Sequence, residues 1–166
     1  MTDTINVIRV LLIRELEALI REIEHLPDDA SLWKTLPGVT NSCGTLAVHV
    51  AGNLQHYIGH VLGGTSYVRN REREFGARSG TREQVVEELR AAIGAVDRTL
   101  RELPRAALDQ QYPQEVAGVR PRTGVFLAHL VSHTGFHLGQ VGYLRRILTG
   151  DPTTTGAIPV SALDLV

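Results

Sequence analysis

Residues 123–144 read TGVFLAHLVSHTGFHLGQVGYL, a stretch as long as a complete helix in which no residue carries a formal charge. A second stretch, residues 35–68, also lacks Asp, Glu, Lys and Arg, and the two together hold six of the seven histidines. Because a helix without charge on any face is normally buried on most of its surface, we expect both stretches to lie inside the protein. Buried imidazoles in two groups indicate a metal site.

Two amphipathic helices are predicted, one before and one after the charge-free residues 35–68. Residues 3–25 and 81–103 carry apolar side chains at steps of three and four, with charged side chains on the other faces. Thr81 and Gln84 have the spacing of a capping box, which marks the start of the later helix. Each of these two helices is expected to have one face in water.

The charge-free stretches predict two further helices. One begins at Asn41 or Ser42 and continues to about Leu62, and the other is capped by Thr123 and continues to about Leu148. Two amphipathic and two buried helices predict an all-α fold, a four-helix bundle.

The connections between these helices refine the prediction. Residues 64–80 are too many for a tight turn, so they form a long crossover loop and the second and third helices are expected to run parallel. Residues 104–122 form a second long loop that can cover one end. We expect residues 1–150 to form the bundle and residues 151–166 an irregular tail.

The composition is that of a soluble single-domain protein. At 166 residues the chain is long enough to bury one hydrophobic core. The formal net charge is −1 and acidic and basic residues are interleaved, so there is no basic stripe to bind nucleic acid. No apolar run is long enough to span a membrane, and residues 1–9 have no signal-peptide pattern. The single Cys43, expected to be a packed thiol, points to a reducing compartment, so we expect a cytoplasmic protein.

The histidines of the last helix define the candidate site. His129, His133 and His137 follow one another at four-residue spacing. Two imidazoles at positions i and i+4 can reach one metal ion, whereas the outer two of the three lie two turns apart. One pair is therefore expected to bind the metal, and the spacing alone does not say which.

The second helix can supply a third imidazole. It carries three histidines in a narrow arc that also contains Asn53, namely His49, His56 and His60. Any of them can complete a three-imidazole site, depending on the register of the two helices. The alternative is that these histidines are core residues that hydrogen-bond to carbonyl or hydroxyl groups.

Two motifs resemble a known family. The sequence HVAGNL at 49–54 and the sequence AHLVSHTGFHLGQV at 128–141 are similar to the DinB superfamily of four-helix-bundle metal proteins, which includes the YfiT-like proteins. The sequence YVRNREREF at 67–75 is similar to a stretch of one uncharacterised branch. The resemblance implies helices in up-down-down-up order and a homodimer.

The resemblance also implies the roles of individual residues. It gives His49, His133 and His137 as ligands of a divalent metal, zinc or nickel by preference, with water completing the site. Four residues become candidates for contacts with these ligands: His129, Asn53, His56 and Gln140. Apart from the resemblance, Arg71 and Glu74 of the crossover segment are candidates for substrate binding.

Relatives in the superfamily include bacillithiol transferases and mycothiol-dependent isomerases, in which a metal would activate a low-molecular-weight thiol. The leading hypothesis is therefore a metal-dependent thiol S-transferase or another thiol-dependent enzyme acting on a small molecule. We expect the thiol to act as a cofactor beside the metal.

Two other functions remain open. A metal-dependent hydrolase would need a general base, and neither charge-free helix contains a carboxylate. The base would have to be one of five other residues: Glu72, Glu74, Glu115, His129 or His56. The third possibility is a metal or small-molecule binding dimer without catalytic activity, in which a charge-free helix surface is buried between copies.

The arginines of the crossover segment allow two interpretations. Arg69, Arg71 and Arg73 are most simply solvated or paired with Glu72 and Glu74. The functional alternative is a clamp for an anionic substrate.

Overall fold

The computed structural model describes residues 3–76 and 78–155, and its long elements are all helices. Among these residues there is no β-strand, and only isolated bridges, such as that between Gln111 and Arg122, order the loop before the last helix. The all-α prediction is confirmed. Within the same residues, no helix combines the length and the apolar character needed to cross a membrane.

The helices occur in the predicted order along the chain, with three additional short helices. In chain order they are α1 (Thr4–Glu24), α2 (Asp29–Trp33), α3 (Cys43–Leu54), the π-helical turn π1 (Gln55–His60), α4 (Arg71–Gly76), α5 (Arg82–Glu102), a 3₁₀ turn (Arg105–Asp109) and α6 (Thr123–Thr149). The predicted second helix corresponds to α3 continued by π1. The sequence did not predict α2, α4 or the 3₁₀ turn, because each is too short to show a periodic pattern.

Two helix starts agree with the capping prediction. The Ser42 hydroxyl accepts a hydrogen bond from the backbone N–H of Thr45, which makes Ser42 rather than Asn41 the N-cap of α3. Thr81 and Gln84 form the complete capping box at the start of α5.

The predicted cap of α6 is wrong by one residue. Thr123 is the first residue of the helix, and the N-cap Arg122 makes no side-chain cap bond. The Thr123 hydroxyl instead donates to the carbonyl of Gln110, at 3.2 Å. The loop before α6 folds back onto the start of the helix and takes up the hydroxyl that would have capped it.

The four long helical segments contact one another in pairs. α1 packs against α5 and α6, and α3 packs against the same two helices. α1 and α5 run in opposite directions, since Arg9 pairs with Asp97 and Glu24 with Arg90.

The two pairs that α3 forms differ in direction. Gly59 lies against Ala95 and Gly63 against Thr99, so the chain from α3 through π1 runs parallel to α5. The Cys43 thiol lies 3.9 Å from the carbonyl of Val141 in α6, whereas the Tyr57 ring lies 5.1 Å from that of Phe126. α3 and α6 are therefore antiparallel.

The two charge-free helices differ in burial. Every residue of α3 is buried. By contrast, α6 exposes an apolar face, on which Val125, Phe136, Tyr143 and Ile147 are each more than 60% exposed. The expectation of burial is correct for α3 and wrong for this face of α6, because α1 and α3 cover α6 on one side only.

A buried ion pair joins the first and last helices. Arg145, fully buried, donates from Nε to Glu22 at 2.5 Å. Its other nitrogens donate to the backbone carbonyls of Asp151, at 3.3 Å, and Thr153. The first residues of the predicted tail are thus bound to the helices, and residues 156–166 lie outside the described residues.

Candidate metal centre

Three imidazoles from two helices converge on one point. His49 of α3 places its Nε2 atom 3.3 Å from Nε2 of His133, which lies 3.1 Å from Nε2 of His137. All three atoms lie within 4.8 Å of one another. Nitrogens bound at about 2 Å to one tetrahedral ion are roughly 3.3 Å apart, so the observed spacing fits a metal.

Hydrogen bonds orient two of the three rings. Nδ1 of His49 lies 3.1 Å from a carboxylate oxygen of Glu74, and Nδ1 of His137 lies 2.7 Å from the amide oxygen of Gln140. Because these oxygens only accept, each Nδ1 carries the proton and each Nε2 keeps its lone pair. Both rings therefore present a metal-binding nitrogen to the same point.

Burial also keeps the site neutral. It lowers the pKa of His133 to about 4, and the neighbouring His137 and His49 add to the effect. Burial likewise lowers the pKa of His137. At neutral pH these rings are uncharged, which is the form that binds a metal ion.

Glu74 of α4 is buried beside the three histidines. Its carboxylate accepts from Arg69 Nε at 2.7 Å and Nη2 at 2.8 Å, as well as from His49. Burial raises its pKa, but the hydrogen bonds from Arg69 and His49 outweigh burial and the pKa is lowered. Arg69 balances the charge of this ionised carboxylate.

A glycine makes room for this carboxylate. A Cβ atom at Gly52 would collide with the carboxylate of Glu74 and would lie 3.2 Å from the Tyr67 hydroxyl. On the other side, the Phe75 ring packs against the His49 ring with centroids 4.7 Å apart. The side chains of α4 and the segment before it thus enclose His49.

The other predicted site residues lie around this centre. Gln140 contacts His137, and His129 is exposed with its ring 6.0 Å from that of His133. Arg71 is exposed and lies over the Phe75 ring at 5.5 Å.

Asn53 and His56 lie further along α3 and π1. Asn53 is buried, and His56 is partly buried with its Nε2 atom 3.0 Å from the amide oxygen of Gln114. Neither makes a hydrogen bond to the three converging histidines among the described contacts.

Sequence reasoning did not find the connection between Arg69, Glu74 and His49. It grouped Arg69 with Arg71 and Arg73, and it proposed Glu74 for substrate binding rather than for a contact with His49, because α4 itself was not predicted. The structure separates Glu74 from Glu72: Glu72 is exposed, whereas Glu74 is 2% exposed.

An apolar groove begins beside the histidines. It encloses about 400 Å³ between α6 and the loop before α3, and its lining includes Val39, Leu46, Tyr143 and Ile147. Gln140, which contacts His137, forms part of the same lining. One end of the groove is therefore formed by the residue that holds the His137 ring.

The family model of the mycothiol S-transferases matches residues 7–150. The chain belongs to this family. The mycothiol S-transferase family is part of the DinB-like superfamily, so the resemblance seen in the two histidine motifs is confirmed. A comparison with curated proteins finds no match. The part that matches the mycothiol S-transferases includes α3, α4 and α6, which supply all three histidines and Glu74.

Proposed function

We propose that the protein is a metal-dependent mycothiol S-transferase in which His49, His133 and His137 hold a divalent ion, zinc or nickel by preference. The convergence of their three Nε2 atoms at 3.1 and 3.3 Å carries this proposal. Neutral imidazoles suit either metal. The family supplies the reaction class.

The reaction joins a thiol, through its sulfur, to an electrophilic small molecule. A divalent ion held by three neutral imidazoles would lower the pKa of a bound thiol, so that the thiolate exists at neutral pH. In S-transfer the sulfur forms a bond to an electrophilic carbon, the leaving group departs with its bonding pair, and the thiol proton passes to solvent. The thiol is consumed, and so it is a substrate and not a cofactor as the sequence led us to expect.

The residues around the histidines have separate tasks in this proposal. Glu74 fixes the ring of His49, and Gln140 fixes the ring of His137. The apolar groove that starts at Gln140 binds the electrophilic substrate, because its lining is mainly apolar and it opens next to the histidines. Arg71, exposed beside Phe75, is the remaining candidate for substrate binding.

Hydrolysis has less support. Glu74 already accepts three hydrogen bonds from Arg69 and His49, which leaves it poorly placed to take a proton from water. Glu72 and Glu115 are exposed. Cys43 offers no alternative nucleophile, because burial raises its pKa to about 12.

The fold and assembly are further parts of the proposal. The directions of the helix pairs support a DinB-like four-helix bundle in up-down-down-up order. The exposed apolar side chains of α6 that lie outside the groove, Val125 and Phe136, support a homodimer, since large apolar side chains exposed on an uncharged stretch of helix are typical of an interface. We also expect a cytoplasmic protein that binds small molecules and no nucleic acid, in line with its net charge of −1.

Metal content per chain tests the centre. Elemental mass spectrometry of untagged protein should find one ion per chain in the wild type, none in His137→Ala, and one in the matched control His129→Ala. An absence of metal in the wild type after reloading would overturn the proposed centre.

Conjugate formation tests the reaction. Metal-loaded protein, mycothiol and a panel of alkyl halides and epoxides should yield the thioether by mass spectrometry, and His137→Ala should yield none above the background rate. A fully loaded wild type that forms no conjugate with any electrophile would overturn S-transfer and favour a binding protein.

A further inference from the structure

Two buried acceptor atoms on the His49 side of α3 and π1 have no hydrogen-bond partner. They are Oδ1 of Asn53 and Nδ1 of His56. Asn53 is 7% exposed, so solvent does not readily satisfy it. Nearly all buried polar atoms in folded proteins have partners, and an orphaned one calls for an explanation such as a bound ligand.

Both residues lie near the candidate metal centre. Asn53 is one helical turn beyond His49, and His56 is three residues further, so a rise of about 1.5 Å per residue places them roughly 6 Å and 10 Å along the axis. Because α3 and α6 are antiparallel, this level corresponds to the part of α6 between Phe126 and His133. The two orphaned atoms thus lie to one side of the three histidines.

The apolar groove lies to the other side. Its lining residue Leu46 precedes His49 in α3, and its residues in α6, from Gln140 to Ile147, follow His137. The histidines therefore separate an apolar region from a polar one along the same pair of helices.

The two orphaned atoms require hydrogen-bond donors. Nε2 of His56 faces the amide oxygen of Gln114 at 3.0 Å and therefore carries the proton, which leaves Nδ1 as an acceptor. Burial lowers the pKa of His56 and favours this neutral form. Oδ1 of Asn53 is an acceptor in any state.

Arg69 supplies a donor beside Tyr57, the residue that follows His56. It uses Nε and Nη2 for Glu74 and lies over the Tyr57 ring at 5.4 Å, which leaves Nη1 without a partner among the described residues. Its Nη2 atom also lies 3.5 Å from Nδ1 of His49, which places the guanidinium between the Tyr57 ring and the three histidines. The charge is largely offset by Glu74.

We propose that Asn53 and His56, with Arg69, form the subsite for the carrier of the thiol substrate, the part of the molecule beyond the sulfur. Two acceptors and one charge-compensated donor fit a neutral carrier rich in amide and hydroxyl groups. A carrier that ends in carboxylates would face two acceptors and is disfavoured. This subsite rests on the proposed S-transfer and assigns the two substrates to opposite sides of the histidines.

Asn53→Leu tests the subsite, since leucine has a similar size and no hydrogen-bonding group. We expect the variant to keep one metal ion per chain and to raise the KM for mycothiol by about tenfold or more, the effect of losing one well-formed hydrogen bond. The KM for 1-propanethiol, which has no carrier, should stay unchanged. Asn53→Ala gives a second variant in case the leucine does not fit, and Thr99→Val is the control for loss of a buried polar group elsewhere.

Thermal unfolding separates binding from a structural role. If Oδ1 of Asn53 is a ligand-binding atom, it has no hydrogen-bond partner in the protein without thiol. Asn53→Leu should then raise the Tm of that protein, because it removes an unpaired buried acceptor. A lower Tm together with an equal loss for both thiols would assign Asn53 to the structure and overturn the subsite. An unchanged KM for mycothiol would overturn it as well.

Calorimetric binding of mycothiol to metal-loaded protein distinguishes a failure of the proposed subsite from a failure of the proposed S-transfer. A wild type that binds mycothiol more tightly than Asn53→Leu but transfers nothing would support the subsite and overturn S-transfer. A wild type that does not bind mycothiol would overturn both.

Discussion

Glu74 is the side chain that most directly controls the orientation of His49. It holds Nδ1 of that ring and is itself held by two nitrogens of Arg69. Carboxylates in this position both orient a metal-binding imidazole and make it more basic. The sequence proposed Glu74 for substrate binding, and in the structure its carboxylate lies 3.1 Å from Nδ1 of His49.

We expect Glu74→Gln to weaken metal binding by about 10- to 100-fold, because an amide cannot accept from Arg69 and His49 as the carboxylate does. Competition with a chromophoric chelator measures the affinity. Glu72→Gln is the matched control, since Glu72 is an exposed carboxylate of the same helix. Equal affinities in the two variants would contradict the role of Glu74.

The half-buried His133 predicts a pH dependence for the metal-free protein. Burial lowers its pKa from 6.5 to about 4. As the pH falls through this window, the unfolded chain takes up a proton at this position before the folded chain does. The free energy of unfolding should therefore fall between about pH 6.5 and pH 4, and this contribution should be constant at higher pH.

Urea unfolding at several pH values measures this effect. His133→Gln should lose less stability than the wild type as the pH is lowered, whereas His60→Gln, which changes an exposed ring, should follow the wild type. The same slope in His133→Gln and in the wild type would show that another group is responsible.

At the scale of the elements, the helices that could be predicted were those in which the spacing of apolar residues or the absence of charge extends over many residues. The charge-free runs and the three- and four-residue steps gave all four long segments, and Ser42 and Thr81 marked two of the starts. α4 has six residues and five of them are polar or glycine, so nothing in its pattern shows that one carboxylate is buried. That information lies in tertiary contacts with α3.

The contact between α3 and α4 depends on the absence of a side chain at Gly52 of α3. Gly52→Ala should displace the Glu74 carboxylate and weaken metal binding, because the new Cβ would overlap it. Gly94→Ala is the control: this glycine lies in α5 with no atom near its missing Cβ, and alanine there should stabilise the helix by about 0.5–1 kcal/mol. Chelator competition and thermal unfolding of both variants measure the two effects. Wild-type metal affinity in Gly52→Ala would contradict this account.

At the scale of the whole molecule, the apolar face of α6 is the feature that the monomer does not explain. The sequence correctly marked this helix as free of charge over 22 residues, but charge alone cannot say whether a helix is covered by its own chain or by another. The register of α3 against α6 was also beyond the sequence, because several registers of three and three histidines are compatible with the same spacing.

Phe136→Glu should convert the proposed homodimer into a monomer, because it places a charge in the middle of the apolar face. Sedimentation equilibrium measures the mass, and metal content should remain one ion per chain. Val68→Glu is the control, since Val68 is 84% exposed and lies outside α6. A wild type that is monomeric at high concentration would contradict the dimer.

The bond network of Arg145 has a consequence for where this protein can be shortened. The family match ends at residue 150, yet the guanidinium inside the helices draws two of its acceptors from the backbone of Asp151 and Thr153. A chain cut at Gly150 would leave a buried cation short of acceptors, at a cost of about 1–3 kcal/mol for each polar group left unsatisfied. The family match thus ends before the two residues whose carbonyl oxygens this buried guanidinium uses.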